Sequence, residues 1–333
     1  MSDYKNITLD RGLYVGKGFT YNLEQLDPSE NYKGTSLEGL DAFERQLKRF
    51  DIKISGNNCD VIDKFFASSQ TAALFPEFVV RSVESGIDNS ELISSISAVK
   101  TRIEGFDYRS ITSNLVEVGS SSEYIEEGGT IPKVDITLSE NLVELHKYGK
   151  MFIASYEALR FQKIAVFSLA LRHIGEHIAK QQLNGAIDVL VNGNDGNTPC
   201  EDMDITGDLT YSDLVNLWNS FGSYKMTTLL VNPSVVPTLL NMTEFRDAAA
   251  GLNFHATGKL ITPFGAQIIK SSHIPEEFIL AFDKNAALEV VQSGDVSVEF
   301  DKLIDRQLER VAVTSTCGFN RITDDAVRTL TLN

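Results

Sequence analysis

The clearest pattern of hydrophobic and polar positions is a long helical repeat in the middle of the chain. Its apolar residues recur at alternating spacings of three and four, which places them on one face of a helix. They are Ile164, Phe167, Leu171, Ile174 and Ile178. No proline interrupts residues 157–191, and turn-forming residues follow at Asn192 and Gly193. At ~1.5 Å per residue the pattern predicts one rigid helix roughly 50 Å long.

A shorter amphipathic helix is predicted to begin at Ser36, which is a candidate N-cap. Its apolar positions recur at spacings of three, four and three, and they are Leu40, Phe43, Leu47 and Phe50. The opposite face is charged and includes Arg45. Residues 1–35 are polar, contain glycine and show little periodicity, so we expect them to form an extended arm.

Residues 111–155 change from helical to strand-like patterning. Residues 111–118 and 134–145 are rich in β-branched residues and leucine, with partial alternation of apolar and polar positions. The segment between them is acidic and polar, and its candidate tip residues are Glu123, Glu126, Glu127, Gly128, Gly129 and Pro132. The pattern predicts a long hairpin with an exposed tip. Such a tip has no core of its own, so something else must order it.

The remainder of the chain is predicted to mix helices and strands. A helix is expected after Ser212, and strands are expected at residues 227–231, 267–270, 278–282 and 296–300. Together with the long helix and the hairpin, this order of elements predicts an α+β fold.

Composition restricts the class of protein without identifying it. The chain has 333 residues, 42% of them hydrophobic and 23% charged, which favours a folded protein with more than one lobe. The net charge of −16 disfavours a protein that grips nucleic acid tightly. The same charge fits a folded protein that stays soluble.

The lack of a targeting signal in the sequence and the pattern of cysteines favour a protein that resides in a reducing cytoplasm. No apolar run reaches the ~18 residues of a membrane span, and no secretory signal opens the chain. The cysteines Cys59, Cys200 and Cys317 show neither a disulfide framework nor metal-binding spacing.

One short motif offers chemistry. His173, Glu176 and His177 form an H-x-x-E-H pattern, in which two imidazoles on one helix face could bind zinc. The pattern fits equally a polar helix face that happens to hold two histidines, and no third ligand is evident. We therefore expect no catalytic residue, no cofactor and no metal.

Four stretches in a specific order carry a resemblance to a known family. They are the acidic residues 126–138, the long helix with its Asn-Gly ending in residues 147–193, the strand and turn of residues 229–233, and the closing strands of residues 309–330. This order resembles the major capsid proteins of tailed bacteriophages, which have the Hong Kong 97-type fold. The resemblance covers roughly residues 70–333.

The resemblance implies a fold with an N-terminal arm, an extended β-hairpin loop, a long spine helix, a peripheral lobe and an axial lobe. The expected segments are the arm and helices (1–70), the start of the peripheral lobe (71–110), the hairpin loop (111–155), the spine helix and turn (156–204), the axial lobe (205–285) and the return strands of the peripheral lobe (286–333).

The resemblance also implies a structural subunit that assembles into pentamers and hexamers. These would form an icosahedral phage head that encloses double-stranded DNA without sequence-specific binding, assembled in the host cytoplasm and located in the virion. The expected partners are other copies of the chain, a separate scaffolding protein, a portal and a decoration protein. No association with a membrane is expected. The hairpin would lie over an adjacent subunit, with its tip glutamates facing basic residues such as Arg81, Arg160 or Lys163.

Three alternatives stay open at this point. An encapsulin would have the same fold, but its shells would contain a protein cargo instead of DNA. A metal-dependent hydrolase would use His173 and His177 and bind stoichiometric zinc. A soluble binding protein with two lobes would stay monomeric.

Overall fold

The computed structural model describes residues 5, 7–14, 18–90, 92–114, 135–138, 142–246 and 260–332. The chain forms two compact units, each built from three separate stretches. The first unit comprises Met1–Glu91, Tyr148–Lys180 and Val296–Ser315, and the second comprises Leu92–Lys147, Gln181–Asp295 and Thr316–Asn333. The division into six segments stays a prediction.

The N-terminal region is packed on its own subunit, which corrects the expectation of an extended arm. It contains helices α1 (Phe19–Leu26), α2 (Ala42–Arg49), α3 (Ser69–Ala72) and α4 (Phe75–Asn89), with 3-10 turns at Arg11–Tyr14, Ser29–Tyr32 and Ile62–Phe66. Leu9, Phe19 and Leu23 are buried in the core of the first unit. Phe19 and Leu23 stand four residues apart and Leu26 three further on, which is helical spacing, so the sequence carries a local signal for α1 that the expectation of an arm did not use.

Helix α2 begins later than predicted. Asp41, not Ser36, is the N-cap, because its carboxylate accepts a hydrogen bond from the backbone N–H of Glu44. The Glu44 carboxylate in turn accepts one from the backbone N–H of Asp41, which completes a capping box.

Arg45 was expected on an exposed face and is instead fully buried. Its guanidinium lies 3.3 Å from the carboxylate of Asp27, donates to the backbone oxygen of Leu40 at 2.7 Å, and lies over the ring of Tyr32. A buried charge is tolerated where its N–H groups are paired in this way. The network connects α2 to the turns that precede it.

The first strand of the hairpin lies where the sequence predicts it. The predicted second half, which runs to residue 155, includes a strand that belongs to another sheet. After α5 (Leu92–Ile96) and β1 (Val99–Ile103), strand β2 (Ile111–Asn114) pairs antiparallel with β3 (Asp135–Leu138). Strand β4 (Leu145–Ser155) does not belong to this hairpin and is an edge strand of a larger sheet. The pairing of β4 is decided by β10, which lies far away in sequence, so the sequence alone did not separate β4 from the hairpin.

The predicted long helix is divided in two. A short helix α6 (Tyr156–Phe161) precedes the spine helix α7 (Ile164–Asn192) of 29 residues. The chain leaves the helical path at Gln162 and Lys163 because their backbone pairs with an earlier segment: Gln162 accepts from the N–H of Ile62 at 3.0 Å, and Lys163 forms a bridge with Val61. Gly193, with φ of +83°, follows the last residue of α7.

The remaining elements complete an α+β fold. They are β5 (Glu201–Ile205), α8 (Tyr211–Asn219), β6 (Thr228–Val231), α9 (Val236–Asn241), α10 (Thr243–Arg246), β7 (Gln267–Lys270), β8 (Phe278–Phe282), β9 (Leu288–Leu303), β10 (Leu308–Arg321) and β11 (Val327–Leu332). The described strands form sheets of order β1-β9-β10-β4 and β5-β11-β8-β6-β7, besides the pair β2-β3. The predicted mixture of helices and sheets is therefore confirmed.

Helices α4 and α7 of the first unit cross in very close contact. A Cβ atom on Gly86 would lie 2.2 Å from the backbone oxygen of Arg172, and one on Gly175 would lie 2.1 Å from the backbone oxygen of Val83. Both values are below any real van der Waals separation, so only glycine fits at these two positions. The crossing sets how closely α4 can cover the buried face of α7.

We expect Gly86→Ala and Gly175→Ala each to lower the free energy of unfolding by about 1–3 kcal/mol, the usual effect of overpacking. Intrinsic propensity acts in the opposite direction, because alanine is favoured over glycine in a helix by ~1 kcal/mol. Urea unfolding of the purified subunit measures the sign directly. Equal or higher stability in both variants would show that the helices do not need this close approach.

Candidate functional site

The predicted hairpin is described only at its base. The tip residues Glu123, Glu126, Glu127, Gly128, Gly129 and Pro132 lie outside the described residues. At the base, Ile111 is paired with Leu138 and Asn114 with Asp135. Among the described residues, β2 and β3 form a sheet of two strands that no third strand joins. Two strands alone are marginally stable in water, so this ribbon needs support.

A buried carboxylate holds the segment that leads into the hairpin. Glu289 of β9 is 6% exposed and accepts hydrogen bonds from the hydroxyl groups of Thr101 at 2.6 Å and Tyr108 at 2.7 Å. It also accepts one from Ser110, the residue immediately before β2. Burial and the hydrogen bond to this carboxylate raise the pKa of Tyr108. Sequence reasoning missed Glu289, because one glutamate in a strand carries no motif.

The basic residues proposed to face the tip glutamates are already engaged in their own subunit. The Arg81 guanidinium lies 2.6 Å from the carboxylate of Asp41 and 3.0 Å from that of Glu77. The Lys163 ammonium donates to the backbone oxygen of Cys59 at 2.7 Å. Arg160 lies 3.7 Å from Asp63, and this pair is exposed to solvent. Arg81 and Lys163 are therefore poor candidates for a partner's carboxylates.

The two predicted apolar faces lie in the first unit. On α7, Ile164, Leu171 and Ile178 are buried, while Phe167 and Ile174 are partly buried and pack against the same core. The ring of Phe167 stacks on that of Phe75 of α4 at 6.0 Å.

The predicted face of α2 is only partly inside the helix. Phe43 and Leu47 are buried in the same core. Leu40 precedes the helix and Phe50 follows it, and both are partly exposed.

The opposite face of α7 is exposed and changes character along its length. Near its N-terminus Val166 and Leu169 are each 51% exposed. Two turns further on, Arg172, His173 and Lys180 are exposed, and between them Glu176, which is acidic, and His177 are half-buried. The spacing from Val166 to Lys180 keeps this row on one side of the helix. We call this row the α7 stripe; it consists of Val166, Leu169, Arg172, His173, Glu176, His177 and Lys180.

Both ends of α7 form hydrogen bonds with segments that are distant in sequence. At the N-terminus, the N–H of Ile164 donates to the backbone oxygen of Asp60 at 2.9 Å, and that of Ala165 donates to Sγ of Cys59 at 3.2 Å. At the C-terminus, the buried Arg321 donates to the backbone oxygen of Leu190 at 3.0 Å. The same guanidinium pairs with Asp324 at 2.7 Å. These contacts satisfy backbone groups that a helix cannot satisfy itself.

The other candidate groups do not gather into a reactive site. In the part of the chain that the structure describes, no group of three or more His, Cys, Asp or Glu side chains could hold a metal ion, so His173 and His177 gain no third ligand there. Cys59, Cys200 and Cys317 are all free and buried. Burial raises the pKa of the Cys317 thiol to about 12, which leaves it protonated and unreactive at neutral pH.

Comparison with known proteins decides the family. A family model described as phage capsid protein matches residues 139–326, which is more than half of the chain. The chain belongs to the phage capsid protein family. The match contains the spine helix α7 and most of the strands that follow it. No curated protein sequence matches this capsid protein.

Several solved structures have a similar fold. The virus-like particle from Pyrococcus furiosus is 16% identical, with a TM-score of 0.53 over 77% of this chain and 99% of the other. The capsid of an empty GTA particle is 14% identical, with a TM-score of 0.52 over 73% and 90%. Gordonia phage Cozz is 13% identical, with a TM-score of 0.50 over 73% and 86%. These similarities confirm the Hong Kong 97-type fold.

Family and fold together settle the broad function. This capsid protein is a structural shell subunit and not an enzyme, as predicted. The encapsulin alternative is less supported, since the family model that matches is one of phage capsid proteins. Among the described helices, none combines the length and the apolar character needed to cross a lipid bilayer.

We expect Glu289→Ala to loosen the start of the hairpin, because it leaves the hydroxyls of Thr101, Tyr108 and Ser110 without their shared acceptor. A buried hydrogen-bonding group that loses its partner costs ~1–3 kcal/mol. Hydrogen exchange of a peptide covering residues 104–114 should become at least several-fold faster. Glu299→Ala, at an exposed position on the same strand, is the matched control and should leave this peptide unchanged. An unchanged exchange rate in Glu289→Ala would contradict the idea that Glu289 holds this segment in place.

Proposed function

We propose that this chain is the major capsid protein of a tailed bacteriophage, whose copies form the pentamers and hexamers of an icosahedral head. The observation that carries the proposal is the phage capsid match over residues 139–326. The rigid α7, 29 residues long, suits this role because a thin, wide wall needs a spar. Closed rings of five and six require different surfaces of neighbouring copies to meet head to tail.

The hairpin is the part of the subunit best suited to make such a contact. Its described base is an isolated pair of short strands, which cannot bury an apolar face by itself. The tip carries Glu123, Glu126 and Glu127, and these acidic side chains would lie on a neighbouring copy. Each exposed ion pair contributes only ~0–1 kcal/mol, but every copy in the shell repeats the contact.

The charge of the subunit suits a container for DNA. With 30 basic and 46 acidic residues, the wall would repel a phosphate backbone on average rather than bind it. Enclosed double-stranded DNA could then be packed without adhering to the shell. We further propose a separate scaffolding protein, a portal and a decoration protein as partners, and assembly in the host cytoplasm before the shell becomes part of the virion.

We expect the combined change Glu123→Lys, Glu126→Lys and Glu127→Lys to abolish shell formation while leaving the subunit folded. Three glutamates are charged residues that a core would rarely bury, so circular dichroism and urea unfolding should match those of the wild-type chain. Negative-stain electron microscopy, with a scaffolding partner present if the wild-type chain needs one, counts the shells.

The matched control changes the same number of charges at exposed glutamates elsewhere, with Glu30→Lys, Glu104→Lys and Glu276→Lys. This control should assemble close to normally. Normal particles from the hairpin variant would refute the role of the tip. Genome-length DNA in purified native shells separates a phage head from an encapsulin, whose shells would contain protein cargo.

A further inference from the structure

Strand β4 leaves one edge of its sheet without a described partner strand. It stands at the end of the order β1-β9-β10-β4, so among the described strands only β10 pairs with it. The N–H of Tyr156, directly after β4, donates to the backbone oxygen of Gln307, directly before β10, at 3.1 Å. Because backbone groups alternate in direction along a strand, those of Met151 and Ile153 point to the other edge. This outer edge of β4 is a template for a further strand.

The second half of β4 also lacks the charged side chains that usually protect an edge strand from pairing. The opposite edge of the same sheet, β1, exposes Lys100 and Arg102, and the edge strand β5 of the second large sheet exposes three acidic side chains. Residues 151–155 of β4 carry no charge, and the side chains of Met151 and Ile153 are 55% and 56% exposed. An edge of this kind is suited to pairing with another strand.

The sequence of β4 is complementary to itself when a second copy runs antiparallel about a two-fold axis at Phe152. Met151 of one copy then lies opposite Ile153 of the other, so exposed apolar side chains cover each other on both sides of the axis. In the same register Lys147 lies opposite Glu157, the second residue of α6, and both are exposed. Within the described part of the chain neither of these two charges has an ion-pair partner. A second copy of this strand therefore matches the edge in both apolar character and charge.

We propose that the β4 strands of two copies pair antiparallel across a two-fold axis and join their four-stranded sheets into one continuous sheet. The inference rests on the proposed function for its place in the shell. Rings of five and six must be linked to neighbouring rings, and a two-fold contact lets the same surface meet itself. Met151 of each copy would exchange backbone hydrogen bonds with Ile153 of the other. The acidic hairpin segment and a strand of a different protein are the alternative occupants of this edge.

Engineered cysteines test the register of this pairing. A Met151→Cys chain mixed with an Ile153→Cys chain places the two thiols on opposite residues, whose Cα atoms are ~5.5 Å apart in a hydrogen-bonded pair. In either chain alone the equivalent cysteines are diagonal neighbours at about 7–8 Å, too far apart for a disulfide. Oxidised glutathione should therefore produce disulfide-linked dimers in the mixture at a yield several-fold higher than in either chain alone.

Two controls show whether the cross-link is specific. The wild-type chain, whose cysteines Cys59, Cys200 and Cys317 are buried, should give no dimers. Met151→Cys mixed with Ile304→Cys, at a position that is 79% exposed in the same unit, should give no dimers either. Equal yields in the two mixtures would show random collision and would overturn the inference. So would the absence of the cross-link from both the soluble and the assembled protein.

Paired charges at the same two positions test the contact in shell assembly. Met151→Lys with Ile153→Lys brings like charges opposite each other across the axis, whereas Met151→Lys with Ile153→Glu brings opposite charges together. Both variants should stay folded, because both side chains are more than half exposed, and urea unfolding checks this. In negative-stain electron microscopy the like-charged variant should form about tenfold fewer shells than the wild-type chain, and the opposite-charged variant should assemble close to normally.

Each other result would overturn the inference and identify a different cause. Loss of shells in both variants would show that this edge meets an apolar surface other than itself, such as a strand of a different protein. Normal shells in both would show that β4 lies outside every interface. Better assembly of the like-charged variant would place an acidic segment on this edge. If the wild-type chain itself forms no shells, the proposed function fails, while the cross-link between positions 151 and 153 still decides the pairing.

Discussion

Helix α7 has to satisfy, at both ends, the backbone groups that no helix can satisfy within itself. Asp60 and Cys59 accept the N–H groups at its start, and Arg321 donates to a carbonyl group in its last turn. These partners come from segments more than 100 residues away in sequence. The contacts at the start of α7 lie within the first unit and those at its end lie within the second, so each unit satisfies the helix end that it contains.

The two faces of α7 differ in how much of their surface is buried within the chain. One face is buried by α4, which approaches so closely that Gly86 and Gly175 leave no room for a side chain. The other face is open and carries the α7 stripe. Among the described residues the base of the hairpin is a pair of strands that no third strand joins, and the hairpin sequence is acidic.

The sequence predicted most reliably the elements that have a local pattern of apolar and polar residues. The apolar period of α7, its Asn-Gly ending and the β-branched start of the hairpin all gave local signals, and the structure has a helix and two paired strands there. Their order also led to the capsid family. The sequence could not show that α7 starts at Ile164, because the break comes from backbone pairing of Lys163 with Val61.

The sequence did not predict features that depend on contacts between residues far apart in the chain. Residues before Ser36 were expected to be extended, whereas Leu9 and Phe19 are buried by segments far along the chain. Arg45 was expected in water, but Asp27 and Leu40 make its burial possible. Glu289 and Arg321 carried no local signal, because their roles depend on which hydroxyl and carbonyl groups the fold brings near them. The tip glutamates lie outside the described residues, so their role stays a prediction.

The central claim is that copies of this chain complete one another in a closed shell. Electron cryomicroscopy of the purified chain, with its scaffolding partner if one is needed, tests that claim most directly. We expect closed particles of icosahedral symmetry, built from rings of five and six subunits with α7 in their wall. A chain that stays monomeric at high concentration and in its native setting would contradict it.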